Sequence, residues 1–535
     1  MADSKRQARG GRKTSPPTAT TAPDQRGTRW RRVFLLAAAF LSGAAIMVLE
    51  LAGNRILAPW FGNSTCTWTG LIGVVLISLS CGYYLGGYLA DRWPNYSVLA
   101  HLLVVSAALT MLVPVLQAAV ADSVSAASVV SGPILATLLL LAAPACLLAA
   151  VSPFTVKLLS LLSADQRVGV SAGAIGMCAT LGSVLGTFAT GLVLVPHLGL
   201  QMIFWGTGVV LGLLALAGYL LFSLRFRQNR AAPAALVAVL AVLSVGSLHR
   251  EPLPETIVFE QTTPYHRIRV IEAPVEDGDR IRYLFLDTTA EGGCFLRSRQ
   301  PALQYHQAWE LSRLFFTKPG RAAFLGGGAF SMPEVMLDAF PGLEADVVEV
   351  DPAVIEVGRK YFRTGEYPRL HATAGDARRF LRFTPERYDL IVGDAFHGVR
   401  SIPGHLVTVE FFDLVRQRLT ADGVYLMNIA SAVEGRQSPV FRSIAATVRE
   451  VFPHVEVFAA EPDRPAKSQN LILVASARDL AGALAAGAPG DRGGDLPRLL
   501  AGRLDARQYD DPDAPILRDA RNPIEYLVAQ GLATQ

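Results

Sequence analysis

The chain has 535 residues, of which 51% are hydrophobic and 18% are charged, and its mean hydropathy is +0.34. This composition is too apolar for an ordinary soluble protein, and the length is sufficient for two domains. A net charge of +4 and five scattered cysteines give no support to a nucleic-acid-binding protein, a disulfide framework or a metal site.

Residues 1–32 are polar, rich in Lys, Arg, Pro and Thr, and contain no apolar run. We expect them to form a disordered basic tail. They do not have the pattern of a secretory signal, in which a short apolar core is followed by a cleavage site of small residues.

Residues 33–248 contain apolar runs close to the ~20 residues that a helix needs to cross a bilayer. We predict a multi-pass α-helical bundle that contacts the lipid of the cell membrane. The six predicted spans are at about 33–52, 70–90, 98–118, 128–151, 168–195 and 200–222. A seventh apolar segment, 233–248, is short for a span, and an interfacial or re-entrant position stays open for it.

The positive residues of this half are distributed unevenly. They cluster before the first span and in alternate loops, whereas the opposite loops contain only Arg55. Because cytoplasmic loops are enriched in Lys and Arg, we predict a cytoplasmic N-terminus. The soluble part is expected in the cytoplasm if 233–248 does not cross the bilayer, and on the outer face if it does. Cytoplasmic placement is our working expectation.

Two pairs of glycines, Gly82 with Gly86 and Gly182 with Gly186, lie four residues apart in apolar segments. Such pairs allow helices to approach closely in lipid. Packing inside the bundle is the favoured interpretation, and the seam of a homo-oligomer is the alternative.

The second half of the chain is divided by its patterning into three regions. Residues 255–318 contain strand patterns that predict a small β-subdomain. From 319 to 480, strands and helices alternate, which predicts a doubly wound, Rossmann-like α/β domain. Residues 481–535 are interpreted as a flexible linker and a short helical tail.

A glycine turn and three acids mark the predicted ligand site of this domain. Gly326, Gly327 and Gly328 separate the first strand from a helix that we expect to begin with a capping box over 331–334. Glu349 ends the next strand about 20 residues later, the spacing at which an acid accepts hydrogen bonds from ribose hydroxyls.

Asp376 and Asp394 follow two further strands. Ligands of open α/β sheets bind outside the carboxyl ends of the strands, so we expect these acids, Glu349 and the glycine turn to converge on one crevice. For each acid taken alone, a helix cap or a solvated loop position is the alternative.

The segments FLGGGAF, VVEVDPAVIEVGRKYF, GDARRFL, YDLIVGDAF and TVEFFDLVRQRLTADGVYLMNI, preceded by Tyr305 and His306, together resemble the spermidine synthase family of aminopropyltransferases. The apolar half, with ILAPWFGNSTCTWTGLIGVVL, GYYLGGYLADR and SPFTVKLL, resembles the membrane-embedded branch in which such a domain is fused to a transporter-like bundle. The resemblance implies a class I methyltransferase-like fold for the soluble domain.

The resemblance also implies a reaction. Decarboxylated S-adenosylmethionine would donate an aminopropyl group to putrescine or another amine, without a metal. Asp394 would be the general base that accepts the proton of the attacking amine. The implied binding residues are Gly326, Gly327, Gly328, Glu349, Asp376 and Ala377 for the donor, and Tyr305 and His306 for the amine.

Three carboxylates that the family usually carries are absent, since Ala329, His397 and Gln307 occupy their positions. A polycation would bind weakly unless another acid substitutes, and the candidates are Asp287, Glu291 and Glu410. Two alternatives therefore stay open. One is a transferase that uses S-adenosylmethionine on another acceptor, and the other is a transporter or sensor whose soluble domain binds a nucleoside or polyamine as a regulatory ligand.

Overall fold

The computed structural model describes residues 25–61, 65–124, 131–162, 167–222, 256–275, 278–316, 318–395, 403–486 and 495–532. They form a helical bundle, followed by a soluble part that contains two β-sheets. The apolar segment 233–248 and His397 lie outside the described residues.

The helices of the bundle are α1 (Gln25–Phe61), α2 (Thr65–Arg92), α3 (Tyr96–Val124), α4 (Ser131–Leu140), α5 (Ala142–Leu161), α6 (Val168–Ala189), α7 (Val195–His197) and α8 (Leu200–Phe222). A π-helical turn, Thr190–Leu194, joins α6 to α7. In the described part of the chain, six helices are long and apolar enough to cross a membrane. The apolar runs of the sequence therefore become the long helices that their length predicts.

Two sequence expectations about this half are wrong in their bounds. Helix α1 begins at Gln25, so the basic residues 25–32 are helical and not part of a disordered tail. Arg, Gln and Trp tolerate a helix well, and a long apolar helix that has already formed propagates into them at little cost.

The predicted span 128–151 is divided into α4 and α5. Pro144, in the first turn of α5, has no N–H to donate to the carbonyl of Leu140, and its ring crowds that carbonyl. The helix is consequently interrupted at Leu141, and the long apolar helix of this region is Ala142–Leu161.

The two glycine pairs pack inside the bundle, which confirms the favoured interpretation. A Cβ atom at Gly82 would lie 2.1 Å from the carbonyl oxygen of Cys146 on α5. One at Gly182 would lie 1.9 Å from the carbonyl oxygen of Phe40 on α1. Because both pairs are covered by neighbouring helices of the same chain, they do not form the seam of a homo-oligomer.

The first sheet of the soluble part is an antiparallel meander of four strands: β1 (Ile257–Thr262), β2 (Arg267–Pro274), β3 (Arg280–Leu286) and β4 (Thr289–Phe295). Alternate residues of β2 such as Ile268 and Val270 are fully buried. They pack in the same core as Phe324 and Val347 of the second sheet, which fixes the meander against the α/β domain.

The second sheet has seven strands: β5 (Arg321–Leu325), β6 (Glu344–Glu349), β7 (Leu370–Ala374), β8 (Tyr388–Gly393), β9 (Leu419–Ser431), β10 (His454–Ala459) and β11 (Gln469–Ser476). Their order is β10-β11-β9-β8-β5-β6-β7, and only β11 runs antiparallel to its neighbours. The helices that alternate with the strands are α9 (Ser331–Ala339), α10 (Pro352–Tyr361), α11 (Ala377–Phe383), α12 (Val409–Arg418) and α13 (Ser438–Arg449). This arrangement confirms the Rossmann-like domain and places the strand-order reversal between β5 and β8.

The C-terminal region is helical where the structure describes it, as the sequence predicted for the tail. Helices α14 (Ala481–Ala486), α15 (Leu496–Ala501) and α16 (Ile524–Leu532) follow the sheet. Leu496 of α15 and Val528 of α16 are buried in the cores on opposite faces of the sheet. These buried residues attach the two helices to the domain. Residues 487–494 of the predicted linker lie outside the described residues.

Candidate active site

The glycine turn at the end of β5 brings its backbone against two neighbouring segments. Gly326 has a φ of +109°, and a Cβ there would lie 2.2 Å from the carbonyl oxygen of Asp394. Gly328 has a φ of +48°, and its Cβ would lie 2.9 Å from the carbonyl oxygen of Glu291. Both positions need glycine for conformation and for space. The turn therefore presents backbone without side chains to the crevice beside Asp394.

The helix that follows the turn begins differently from the predicted capping box. Phe330, with a φ of +58°, is the N-cap of α9, and it has no side-chain cap. The Ser331 hydroxyl instead donates to the carbonyl of Gly293, and Glu334 accepts from Thr364. Burial raises the pKa of Glu334 to about 8. The tertiary contacts to β4 and to Thr364 replace the local capping pattern.

Glu349 is buried at the end of β6 and holds the glycine turn in place. Its two carboxylate oxygens accept hydrogen bonds from the backbone N–H groups of Gly327 at 2.9 Å and Asp351 at 3.0 Å. Burial raises its pKa, and these two bonds counteract part of that effect. Each oxygen has two lone pairs, so both retain acceptor capacity for ligand hydroxyls.

Asp394, directly after β8, is the buried carboxylate of the crevice. Asn428 donates to its Oδ1 at 2.9 Å, and the Tyr305 hydroxyl donates to the same carboxylate. Burial raises the pKa of Asp394 to about 6, although both hydrogen bonds favour the charged form. A carboxyl with this pKa is ionised at neutral pH and is a stronger base than a solvated aspartate.

The amide of Asn428 is itself held by a second asparagine, Asn470. Asn470 on β11 donates to the Oδ1 atom of Asn428 on β9 at 3.0 Å. This bond orients the Asn428 amide so that its NH₂ group points at Asp394. Sequence reasoning did not identify either asparagine, although a polar residue within the apolar strand GVYLMNIA was an available signal.

Tyr305 and His306 lie on a 3₁₀ helix, Gln304–Leu314, that covers the carboxyl edge of the sheet. Their ring centroids are 4.2 Å apart. Burial and the negative charge of Asp394 raise the pKa of Tyr305 well above its ordinary range, so the phenol stays protonated and donates. His306 is only 3% exposed, and burial lowers its pKa to about 3. The imidazole is therefore neutral, and its Nδ1 atom has no hydrogen-bond partner among the described residues.

Asp376 and Ala377 lie at the end of β7, at the rim of the crevice. Asp376 is the N-cap of α11 and accepts from the N–H of Arg379 at 2.7 Å. His405 contacts its other oxygen at 2.7 Å. Partial burial raises the pKa of Asp376, but these contacts outweigh it and hold the pKa below the ordinary value. Ala377 is buried at the first position of α11.

The predicted residues around Asp394 enclose a narrow cavity with a volume of about 20 Å³. Its polar lining is formed by Glu291, His306, Gly326, Gly327, Gly328, Ser331 and Asp394. This volume accommodates roughly one water-sized group, so an aminopropyl chain requires neighbouring side chains to move. The other predicted site residues, Tyr305, Glu349, Asp376 and Ala377, do not line this cavity.

Of the three candidates for a substitute acid, only Glu291 lines the cavity. Asp287 accepts from the N–H of Arg267 and contacts His266, and Glu410 accepts from the N–H of Asp519. Ala329 is only 2% exposed and lies beside Gly292. Gln307 is half-buried on the 3₁₀ helix.

Comparison with known proteins gives the family of this domain. Residues 325–476 match the family model of the spermine/spermidine synthase domain. The chain carries a spermidine synthase domain. A polyamine aminopropyltransferase from Vibrio vulnificus is 34% identical over 142 residues, which are 26% of this chain and 46% of that protein. The chain thus spans about half the length of this relative.

Two further similarities cover longer parts of the chain. Polyamine aminopropyltransferase 2 from Aquifex aeolicus is 24% identical over 429 residues, which are 77% of this chain and 81% of that protein. This alignment is longer than the soluble part of the chain and so extends into the helical bundle. A probable spermidine synthase from Corynebacterium glutamicum is 22% identical and superposes with a TM-score of 0.41 over 50% of this chain and 97% of its own.

Proposed function

We propose that this protein is a membrane-bound aminopropyltransferase. It would transfer the aminopropyl group of decarboxylated S-adenosylmethionine to putrescine or another amine. The observation that carries the proposal is the environment of Asp394: a buried carboxylate after β8, beside the glycine turn, held by Tyr305 and Asn428.

The reaction needs a base at this position. The amine nitrogen attacks the carbon next to the sulfonium, a C–N bond forms, and the C–S bond breaks with its electron pair passing to sulfur. Methylthioadenosine leaves. An alkylammonium with a pKa near 10 cannot attack until it loses a proton, and Asp394 accepts that proton. Because the pKa of Asp394 is about 6, the transfer is less uphill than it would be to a solvated carboxylate.

The proposed donor site includes Glu349, at the end of β6. Glu349 would accept hydrogen bonds from the ribose hydroxyls while it continues to hold the N–H of Gly327. The bare backbone of the glycine turn permits the nucleoside to approach closely. Asp376 and Ala377 would lie on the adenine side, at the rim.

The amine site contains fewer carboxylates than the resemblance implies. Asp394 and Glu291 are the acids that line the described cavity. Two acids can pair with the two ammonium groups of a short diamine, whereas a longer polyamine would leave cationic groups unpaired. We therefore expect a diamine or a monoamine to be preferred over a triamine.

The test is calorimetric titration of the detergent-purified protein with decarboxylated S-adenosylmethionine, S-adenosylmethionine and methylthioadenosine, each with and without putrescine. We expect the decarboxylated donor to bind more tightly and product to form. Asp394→Asn should keep donor binding and lose product formation. Asp422→Asn, an exposed aspartate on β9, is the matched control and should retain activity.

A second candidate function has one observation in its favour. Ala329 is buried beside Gly292, and this position contributes no carboxylate to a polyamine site. Preference for S-adenosylmethionine in the same titration would favour a transferase that acts on another acceptor. Ligand binding without any turnover would favour a regulatory domain of a transporter or sensor.

A further inference from the structure

The soluble domain rests on one end of the bundle, the end at which α1 finishes and α2 begins. The guanidinium of Arg55 donates to the carbonyl of Tyr265 at 3.5 Å. The backbone N–H of Thr65, the first residue of α2, donates to the Glu525 carboxylate at 2.8 Å. Two separate parts of the soluble domain, the β-meander and α16, therefore contact this docking end.

Helix α8 finishes at the other end of the bundle. The ring of Phe222, its last residue, lies 5.2 Å from that of Phe34 and 5.1 Å from that of Tyr96, between ring centroids. Phe34 is near the start of α1, and Tyr96 is the first residue of α3. The ion pair of Lys157 with Asp91, at 2.8 Å, joins α5 to α2 at this same end.

The separation of the two ends equals the thickness of a bilayer core. Phe34 and Arg55 are 21 residues apart on the continuous helix α1, which corresponds to ~32 Å at ~1.5 Å per residue. The hydrocarbon core of a bilayer is ~30 Å thick. A chain that leaves α8 at Phe222 and enters the soluble domain at Thr256 has to pass from one face of the membrane to the other.

The intervening sequence has the composition that such a passage requires. Residues 231–248 are 18 consecutive residues without a charge, bounded by Arg230 and His249. This uncharged run is close to the ~20 residues that a membrane-spanning segment needs.

The charges of the bundle give the direction of the passage. At the Phe222 end, the cationic residues are Arg26, Arg29, Arg31, Arg32, Arg92, Lys157 and Arg167. Within residues 25–222, the docking end contributes only Arg55. An excess of Lys and Arg marks the cytoplasmic face, so the Phe222 end lies in the cytoplasm and the docking end lies outside.

We propose that the spermidine synthase domain lies on the outer face of the membrane, reached by a seventh crossing between Phe222 and Thr256. This replaces the working expectation of a cytoplasmic domain, because the N-terminus and the soluble domain are at opposite ends of α1. The cysteine content is compatible with an oxidising compartment, since residues 256–535 contain only Cys294 and no internal disulfide can form there. The sulfonium nucleoside and the amine that this site binds are then those supplied to the outer compartment.

The inference rests on the proposed membrane embedding of the bundle and not on the transfer chemistry. Reporter fusions to the full chain in a bacterial host test it. Alkaline phosphatase joined after Gln535 should be active and a green fluorescent protein at the same position dark. A bright fluorescent fusion with an inactive phosphatase would overturn the inference.

Cysteine labelling gives an independent readout. Asp463→Cys introduces a thiol at an exposed turn of the soluble domain, and Pro94→Cys introduces one in the exposed loop between α2 and α3. In intact cells, a membrane-impermeant maleimide should label Asp463→Cys above the parent chain and label Pro94→Cys only after permeabilisation. Protection of Asp463→Cys until permeabilisation would contradict an outer domain. Carbonate extraction tests the membrane embedding separately, and donor binding in detergent does not depend on orientation.

Discussion

Removal of the Asn428 amide should change the pH at which the proposed transferase becomes active. Asn428 donates to the Asp394 carboxylate at 2.9 Å and favours its charged form, which counteracts the burial that raises the pKa of Asp394 to about 6. Asn428→Leu keeps a similar side-chain volume and removes the donor. The carboxylate then binds a proton more tightly.

The size of the effect follows from the strength of one charged hydrogen bond. Such a bond contributes about 1.5–3 kcal/mol, and about 1.4 kcal/mol corresponds to a tenfold change in proton affinity. The midpoint of the acid limb of kcat should therefore rise by roughly one to two pH units. At pH 7.5 the rate would fall by up to about fourfold, and by pH 9.5 it would recover.

The assay is product formation at saturating donor and amine from pH 5 to pH 10. Asn470→Leu is the matched control, because it removes the second amide and leaves the bond from Asn428 to Asp394 in place. The midpoint of the acid limb of kcat should shift less in Asn470→Leu than in Asn428→Leu. An unchanged midpoint for Asn428→Leu, or a loss of rate that high pH does not restore, would refute the reasoning.

Three further outcomes test the site. The raised pKa of Asp394 means that the folded protein binds this proton more tightly than the unfolded chain, so stability is lost as pH rises from about 4 to about 6. Asp394→Asn should thus raise the thermal unfolding midpoint at pH 8, with a gain on the order of 3 kcal/mol, and leave it nearly unchanged at pH 4; equal shifts at both pH values would contradict this. Glu349→Ala should weaken methylthioadenosine binding by about ten- to a hundredfold, because it removes the acceptor that holds Gly327. An unchanged affinity in calorimetric titration would exclude a role of Glu349 in nucleoside binding. Gly326→Ala should abolish donor binding and lower the unfolding midpoint, because the added Cβ clashes with Asp394. Gly278→Ala is the control: Gly278 has a φ of +78° and open space around a Cβ, so this change should cost only ~1–3 kcal/mol of backbone strain.

The features that the sequence predicted well are those with a local cause. The long apolar runs became helices, because hydrophobic length needs no distant partner to be recognised. The placement of Glu349, Asp376 and Asp394 at one edge follows from a topological rule for parallel strands, although their roles stay predictions.

The features that only the tertiary structure decided depend on contacts between distant segments. Asn428 and Asn470 meet because β9 and β11 pair in an antiparallel register. This pairing places Asn470 where it orients the amide that donates to Asp394. The predicted capping box at Ser331 was wrong, because the Ser331 hydroxyl donates instead to the carbonyl of Gly293 on the other sheet.

The proposed orientation of the soluble domain rests on contacts of the same kind. Hydropathy alone could not decide whether 233–248 crosses the membrane, because an 18-residue uncharged run is near the limit for a span. The contacts of Arg55 and Thr65 with the soluble domain, at the opposite end of the bundle from Phe222, supply the geometric constraint that hydropathy lacks.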